Sequence, residues 1–169
     1  VAKVNGVGVS STPSAGKILT ATSATAADWE AVELGYDEIT ATVGVTGLTE
    51  GTATTVITCA PHTFNGRPVL ATFCASAVET PTNATGDAIR IGLFEGGTLV
   101  NRFGSLFTPA AAKLVIPFFG AFRFTPTAAA HSYVVAAWVN TVAAGTPGVD
   151  CGTGGAGNLP PAWVRFTEA

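Results

Sequence analysis

From Ile39 onward the chain is cut into short runs of β-forming residues, with Gly, Pro, Asn or Thr between one run and the next. The runs are Ile39–Val45, Thr54–Ala60, Pro68–Ala77, Ala88–Phe94, Leu99–Phe103, Lys113–Phe124, Ser132–Asn140 and Ala162–Thr167. No amphipathic helix longer than two turns fits the sequence. Short strands cannot bury their apolar sides alone, so they must pack sheet on sheet. Several runs alternate with period 2, the signature of a half-buried strand. In Ile89-Arg90-Ile91-Gly92-Leu93 the odd positions are apolar. In Ala162–Thr167, Val164 and Phe166 share one face, with Trp163 and Arg165 on the other. Glu95-Gly96-Gly97-Thr98 reads as a tight hairpin, since glycine supplies the positive φ such turns need. The expected fold is all-β, an antiparallel eight-stranded jelly-roll sandwich.

Residues 1–36 read differently. They are rich in Ser, Thr, Ala and Gly, and Val1–Gly16 has no sustained period, as in an extended N-terminal arm or anchor. The expected division is therefore an arm over 1–36 and a β-sandwich over 37–169. Within the arm, Lys17–Thr22 suits a short strand. Ala26–Ala31 suits one helical turn with Thr25 or Asp28 near its start. Ile18, Leu19 and Trp29 are spaced as anchors that dock on something other than the sandwich. Ala143–Pro161, dense in Gly and Pro, is expected as a long loop between the last two strands. The chain has no Met and opens Val1-Ala2, a setting in which an initiator Met is removed, so a complete mature protein and a trimmed fragment are both open.

Composition narrows the function classes. Charged residues make up 11% of the chain against 47% hydrophobic, where an average domain carries about 25% charged. Either small neutral residues form the outer faces or copies of the chain cover one another, and the second is favoured because a low-charge surface associates. The eight Lys and Arg are scattered singly and the net charge is −3, so no nucleic-acid footprint is present. Leu114–Phe122 is the longest apolar stretch; it holds Pro117 and Gly120 and is too short for membrane insertion. The first thirty residues lack the apolar run of a signal peptide.

No motif for catalysis stands out, and no catalytic, metal or cofactor residue is assigned. Cys59, Cys74 and Cys151 lack metal-ligand spacing and read as buried reduced thiols, with a Cys59–Cys74 bridge left open. His62 and His131 read as solvent-facing turn or strand-end residues. Glu30, Glu33, Asp37 and Glu38, beside Trp29 and Tyr36, read as a solvated linker face. Gly152–Gly157 lacks the Lys-Ser/Thr ending of a phosphate loop. Asn83-Ala84-Thr85 is a sequon without a secretory context. Ser occurs without the GxSxG elbow. The strongest constellation is aromatic: on an unbroken strand Phe118, Phe122 and Phe124 share one face and Phe119 takes the other, with Pro117 and Gly120 expected to bulge it. These four are candidates for a subunit interface as well as for the core.

The string Gly16-Lys17-Ile18-Leu19-Thr20-Ala21-Thr22-Ser23-Ala24-Thr25-Ala26-Ala27-Asp28-Trp29 resembles a segment of the form GKVLTATSATAADW that recurs in bacteriophage virion proteins. There it precedes a fibre shaft or a small β-rich terminal domain. The remainder is similar in style to tumour-necrosis-factor/C1q-like jelly rolls: a last strand, Ala162–Thr167, after a Gly-rich loop, and a Tyr-containing strand at Ser132–Val139. The resemblance implies a homotrimer on the exterior of a phage particle, assembled in the host cytoplasm, and supplies no catalytic residue. With no collagen-like run and no heptads to build a shaft, a capsid decoration or short head-fibre protein is the expectation. The implied partners are other copies of the chain and the major capsid protein or another virion protein. A receptor- or glycan-binding knob of a tail fibre or baseplate, with a host-surface glycan as partner, is the alternative.

Overall fold

The computed structural model describes residues 2–4, 7–9, 17–23, 26–31, 33–82, 86–109, 112–141 and 147–169, the first four stretches by their backbone. Four strands lie before residue 33: β1 Ala2–Val4, β2 Val7–Val9, β3 Lys17–Ser23 and β4 Ala26–Ala31. They form their own sheet in the order β1-β2-β4-β3, with Leu19 opposite Trp29. The segment expected to make a helical turn at Ala26–Ala31 is thus a strand. It pairs with β3 along its length and with β2 at Ala26 and Ala27, and such pairing outweighs the weak helix propensity of an Ala-rich hexapeptide. The arm residues outside these strands, and the sequon Asn83–Thr85, lie outside the described residues.

The body is a sandwich. One sheet holds β5 Glu33–Ile39, β6 Val43–Gly44, β9 Val69–Glu79, β12 Val115–Phe124, β15 Gly148–Asp150 and β16 Ala162–Glu168. The other holds β7 Thr54–Thr58, β10 Ala88–Glu95, β11 Thr98–Phe107 and β14 Tyr133–Val139, in the order β11-β10-β14-β7. A two-residue ribbon pairs β8 His62–Thr63 with β13 Ala130–His131. In the first sheet β9 is central: β16 and β15 share one of its edges and β12 takes the other. Every pairing in these sheets is antiparallel.

Three expectations need correction. The run Ile39–Val45 is not one strand: β5 ends at Ile39, crossing the expected boundary at residue 36, and β6 starts again at Val43. The break lets β5 pair with β16 while β6 pairs with β15. The segment Ala143–Pro161 is not all loop, because β15 lies within it and pairs with both β6 and β9. Its residues 143–146 lie outside the described ones. Finally, β12 is not bulged. Ile116 faces Val78 and Phe118 faces Ala75, so the extra residue sits on β9, where Ser76 and Ala77 together oppose Pro117. Gly120 is in continuous register with Phe73.

Between the sheets lies one core, in which Phe73, Phe166, Tyr133, Ile57, Ile89, Ile91, Leu93, Val135 and Val164 are buried. Ile89, Ile91 and Leu93, and Val164 with Phe166, point inward as their alternation required. The turn at Gly96-Gly97 has φ of 56° and 83°, the double positive φ of a two-residue hairpin. A bulge at Phe103, which has no partner between Arg102 and Gly104, turns that ring inward. It packs 5.6 Å from Phe73 and 5.0 Å from Phe122. Gly120 makes this closure possible: a Cβ there would lie 2.5 Å from the Phe103 carbonyl oxygen.

A second, smaller cluster sits on the outside of the second sheet. Phe94 and Trp138 meet edge to face at 5.9 Å beside Ala136. The turn at Glu50–Thr52 lies nearby, and Arg102 spans the two, over Trp138 at 5.2 Å and 3.2 Å from Glu50.

Candidate functional site

Strand parity decides the face of each aromatic residue on β12. Phe118 is buried against Phe73, and Phe122 and Phe124 are partly buried on the same core. These three interface candidates are core residues: without a bulge in β12 their period-2 spacing carries all three inward. Phe119, the fourth, is 69% exposed. The side chains of the anchor candidates Ile18, Leu19 and Trp29 lie outside the described residues.

Phe119 belongs to a broad outer face. Ladder register places Glu38, Trp163, Cys74 and Phe119 in one row across β5, β16, β9 and β12. The next row runs Tyr36, Arg165, Thr72, Ala121. Tyr36 stacks on Trp163 at 6.1 Å between ring centres, and the Arg165 guanidinium lies over Trp163 at 5.5 Å. The Tyr36 hydroxyl donates to Glu38 Oε2 at 2.6 Å, and this bond, ahead of burial, pushes the phenol up to about 12. The Trp163–Arg165 side of β16 was legible in the sequence. Its partner strand β5 was hidden, because residues up to 36 read as arm.

The acidic stretch is divided by its strand rather than forming one solvated face. Glu38 stays on the outside, whereas Asp37 turns inward and meets His62, with Oδ2 2.5 Å from Nε2. Asp37 also accepts from the Ala60 backbone N–H at 2.9 Å. The Glu30 side chain lies outside the described residues.

Neither histidine faces solvent as expected. His62 and His131 are opposite each other in the β8–β13 ribbon, and each side chain is less than 15% exposed. His131 Nδ1 is 2.5 Å from Glu95 Oε1, and its ring stacks on Tyr133. Both carboxylates are distant in sequence from their histidines, so local reading carried no signal of either pair. Cys59, beside Asp37, has its thiol pushed up to about 12, chiefly by burial and then by the Asp37 charge. A thiol held protonated is a packing group and not a nucleophile. The Cys–Asp–His grouping therefore ties β5 to the β7–β8 connection.

All three cysteines are free, which leaves the conceivable Cys59–Cys74 bridge unmade; Cys74 is only partly buried, on the outer face. At the far end of β9, Lys113 Nζ pairs with Glu79 Oε1 at 2.7 Å. Asp150 next to it has its carboxyl raised, first by burial and then by Glu79. Among the described residues no group of three or more His, Cys, Asp or Glu is placed to hold a metal ion. A shallow hollow of about 200 Å³ opens beside the Phe94 cluster, lined by Glu50, Ala53, Thr55, Phe94, Val134 and Ala136 among others. Its one carboxylate, Glu50, is already paired with Arg102.

No protein-family model matches the chain, and no curated protein does. Among solved structures, it is similar to a carbohydrate binding module (CBM6cm-2) from Cellvibrio mixtus lichenase 5A, solved in complex with cellotriose. The identity is 13%, the match covers 81% of this chain and 89% of that one, and the TM-score is 0.35. A likeness of that extent assigns no ligand to this chain.

Proposed function

We propose that this chain is a non-enzymatic structural module of a bacteriophage particle, a homotrimer that binds the capsid exterior as a decoration or short head-fibre protein. Residues 1–32 are the anchor and the jelly-roll body is the exposed knob. The segment Gly16–Trp29 supports the virion setting through its resemblance to phage virion proteins. The observation that carries self-association is the outer face of the β12 sheet. There Phe119 is 69% exposed, on a chain with only 11% charged residues to keep copies apart.

A protein that binds the assembled shell and not its free subunits stabilises the shell by mass action. Heating particles with and without the protein while following DNA release tests this. Release at a higher temperature with the protein bound is the expected outcome. Equal release temperatures, with host adsorption lost when the protein is missing, would transfer the assignment to the receptor- or glycan-binding reading. The stacked Tyr36–Trp163 pair favours that second reading, because aromatic faces pack against sugar rings.

A further inference from the structure

We propose that copies of this chain meet through the outer face of the β12 sheet, with the β12 flank of one copy seated on the β5 flank of the next. The inference deepens the trimer reading and rests on it. Among the described residues, three of the six exposed large hydrophobic ones, Tyr36, Val115 and Phe119, lie on strands β5 and β12, at the two flanks of this sheet.

The flanks carry opposite charge. Arg123 projects from β12 on the same outward parity as Phe119 and makes no ion pair among the described residues. Across the sheet, β5 presents Glu33 and Glu38, both exposed. Among the described residues Glu33 has a long 4.0 Å approach to Arg165. Two strands, β16 and β9, separate the flanks, a span of about 14 Å at ordinary strand spacing. Arg123 therefore cannot satisfy the β5 carboxylates of its own chain, but it can reach those of a neighbour. Placing β12 against β12 would instead oppose Arg123 with itself.

Joining unlike flanks makes the contact heterologous, and a heterologous contact is finite only when it closes into a ring. Three copies close one. Each contact then covers Phe119 with the Tyr36–Trp163 stack and, with the strands of neighbouring copies running alike, brings Arg123 to Glu33, which lies in its row of the ladder. Apolar burial supplies the affinity, and the charges set which flank meets which.

Light scattering across a dilution series of the full chain tests the arrangement, with near-ultraviolet circular dichroism checking that each variant is folded. The wild type is expected at about three times the 17.0 kDa chain mass. Phe119→Ser and Arg123→Glu are each expected to raise the dissociation concentration at least tenfold, and adding Glu33→Arg to Arg123→Glu should restore most of it. A wild-type trimer that both single variants leave intact would overturn this face while the trimer reading stands. Weakening by Arg123→Glu without recovery in the charge-reversed variant would overturn the flank-to-flank arrangement. A monomeric wild type would remove the trimer reading and this inference together.

Discussion

Asp37 shows how much one side chain carries in this fold. It accepts from His62 and from the Ala60 backbone, with both ring and carboxylate only 14% exposed. Removing it leaves the part-buried His62 ring without its carboxylate and returns the exposed Ala60 N–H to water, so Asp37→Ala is expected to cost about 1–3 kcal/mol, read as a shift in urea midpoint. Gly35 belongs to the same arrangement, since a Cβ there would lie 2.5 Å from the His62 ring. Gly35→Ala should displace His62 and cost roughly 1–3 kcal/mol, with Asp37→Ala adding less to it than alone, because both act on one contact. Cys59 gives the pH dependence. Its folded pKa of about 12 stands above the ordinary 9.0, so the folded chain holds this proton more tightly than the unfolded one. The stabilisation is complete below pH 9 and is lost as pH rises toward 12. Between pH 8 and pH 11 the Cys59→Ala variant should therefore lose roughly 2 kcal/mol less stability than the wild type.

At the scale of the element, β12 is decided by what lies beside it. Its Phe periodicity holds because β9, not β12, takes the extra residue opposite Pro117. Its closeness to β11 depends on Gly120, where any side chain would strike the Phe103 backbone. A backbone neighbour cannot rotate away as a flexible side chain can, so Gly120→Ala should cost about 1–3 kcal/mol by parting β11 from β12. Thermal melts followed by circular dichroism would measure it. Phe119→Ser on the opposite face of the same strand should leave the melting temperature of the dissociated chain within a few degrees, because Phe119 is 69% exposed. The contrast between adjacent residues separates core from surface on one strand.

For the whole molecule, strand pairing divides the chain near residue 32. The sheet of β1–β4 is closed within itself, and the sandwich begins with β5 at Glu33. Deleting residues 1–32 removes no strand of the two facing sheets, so the truncated chain should fold with its near-ultraviolet spectrum retained. It should no longer bind particles, as counted by co-sedimentation. Full occupancy by the truncated chain would show that the anchor lies in the sandwich.

Residue order alone determined the all-β class, the Gly96-Gly97 hairpin, and which side of β10 and β16 faces inward. All of these follow from period-2 alternation or from local turn chemistry, and both are written in neighbouring residues. The tertiary structure decided the rest. It alone paired His62 with Asp37 and His131 with Glu95, over separations of 25 and 36 residues. It made a strand of Ala26–Ala31, placed β15 inside the Gly-rich segment, and set Tyr36 beside Trp163. Each of these depends on a partner strand distant in the chain supplying hydrogen bonds or a ring face, and no local pattern can name that partner.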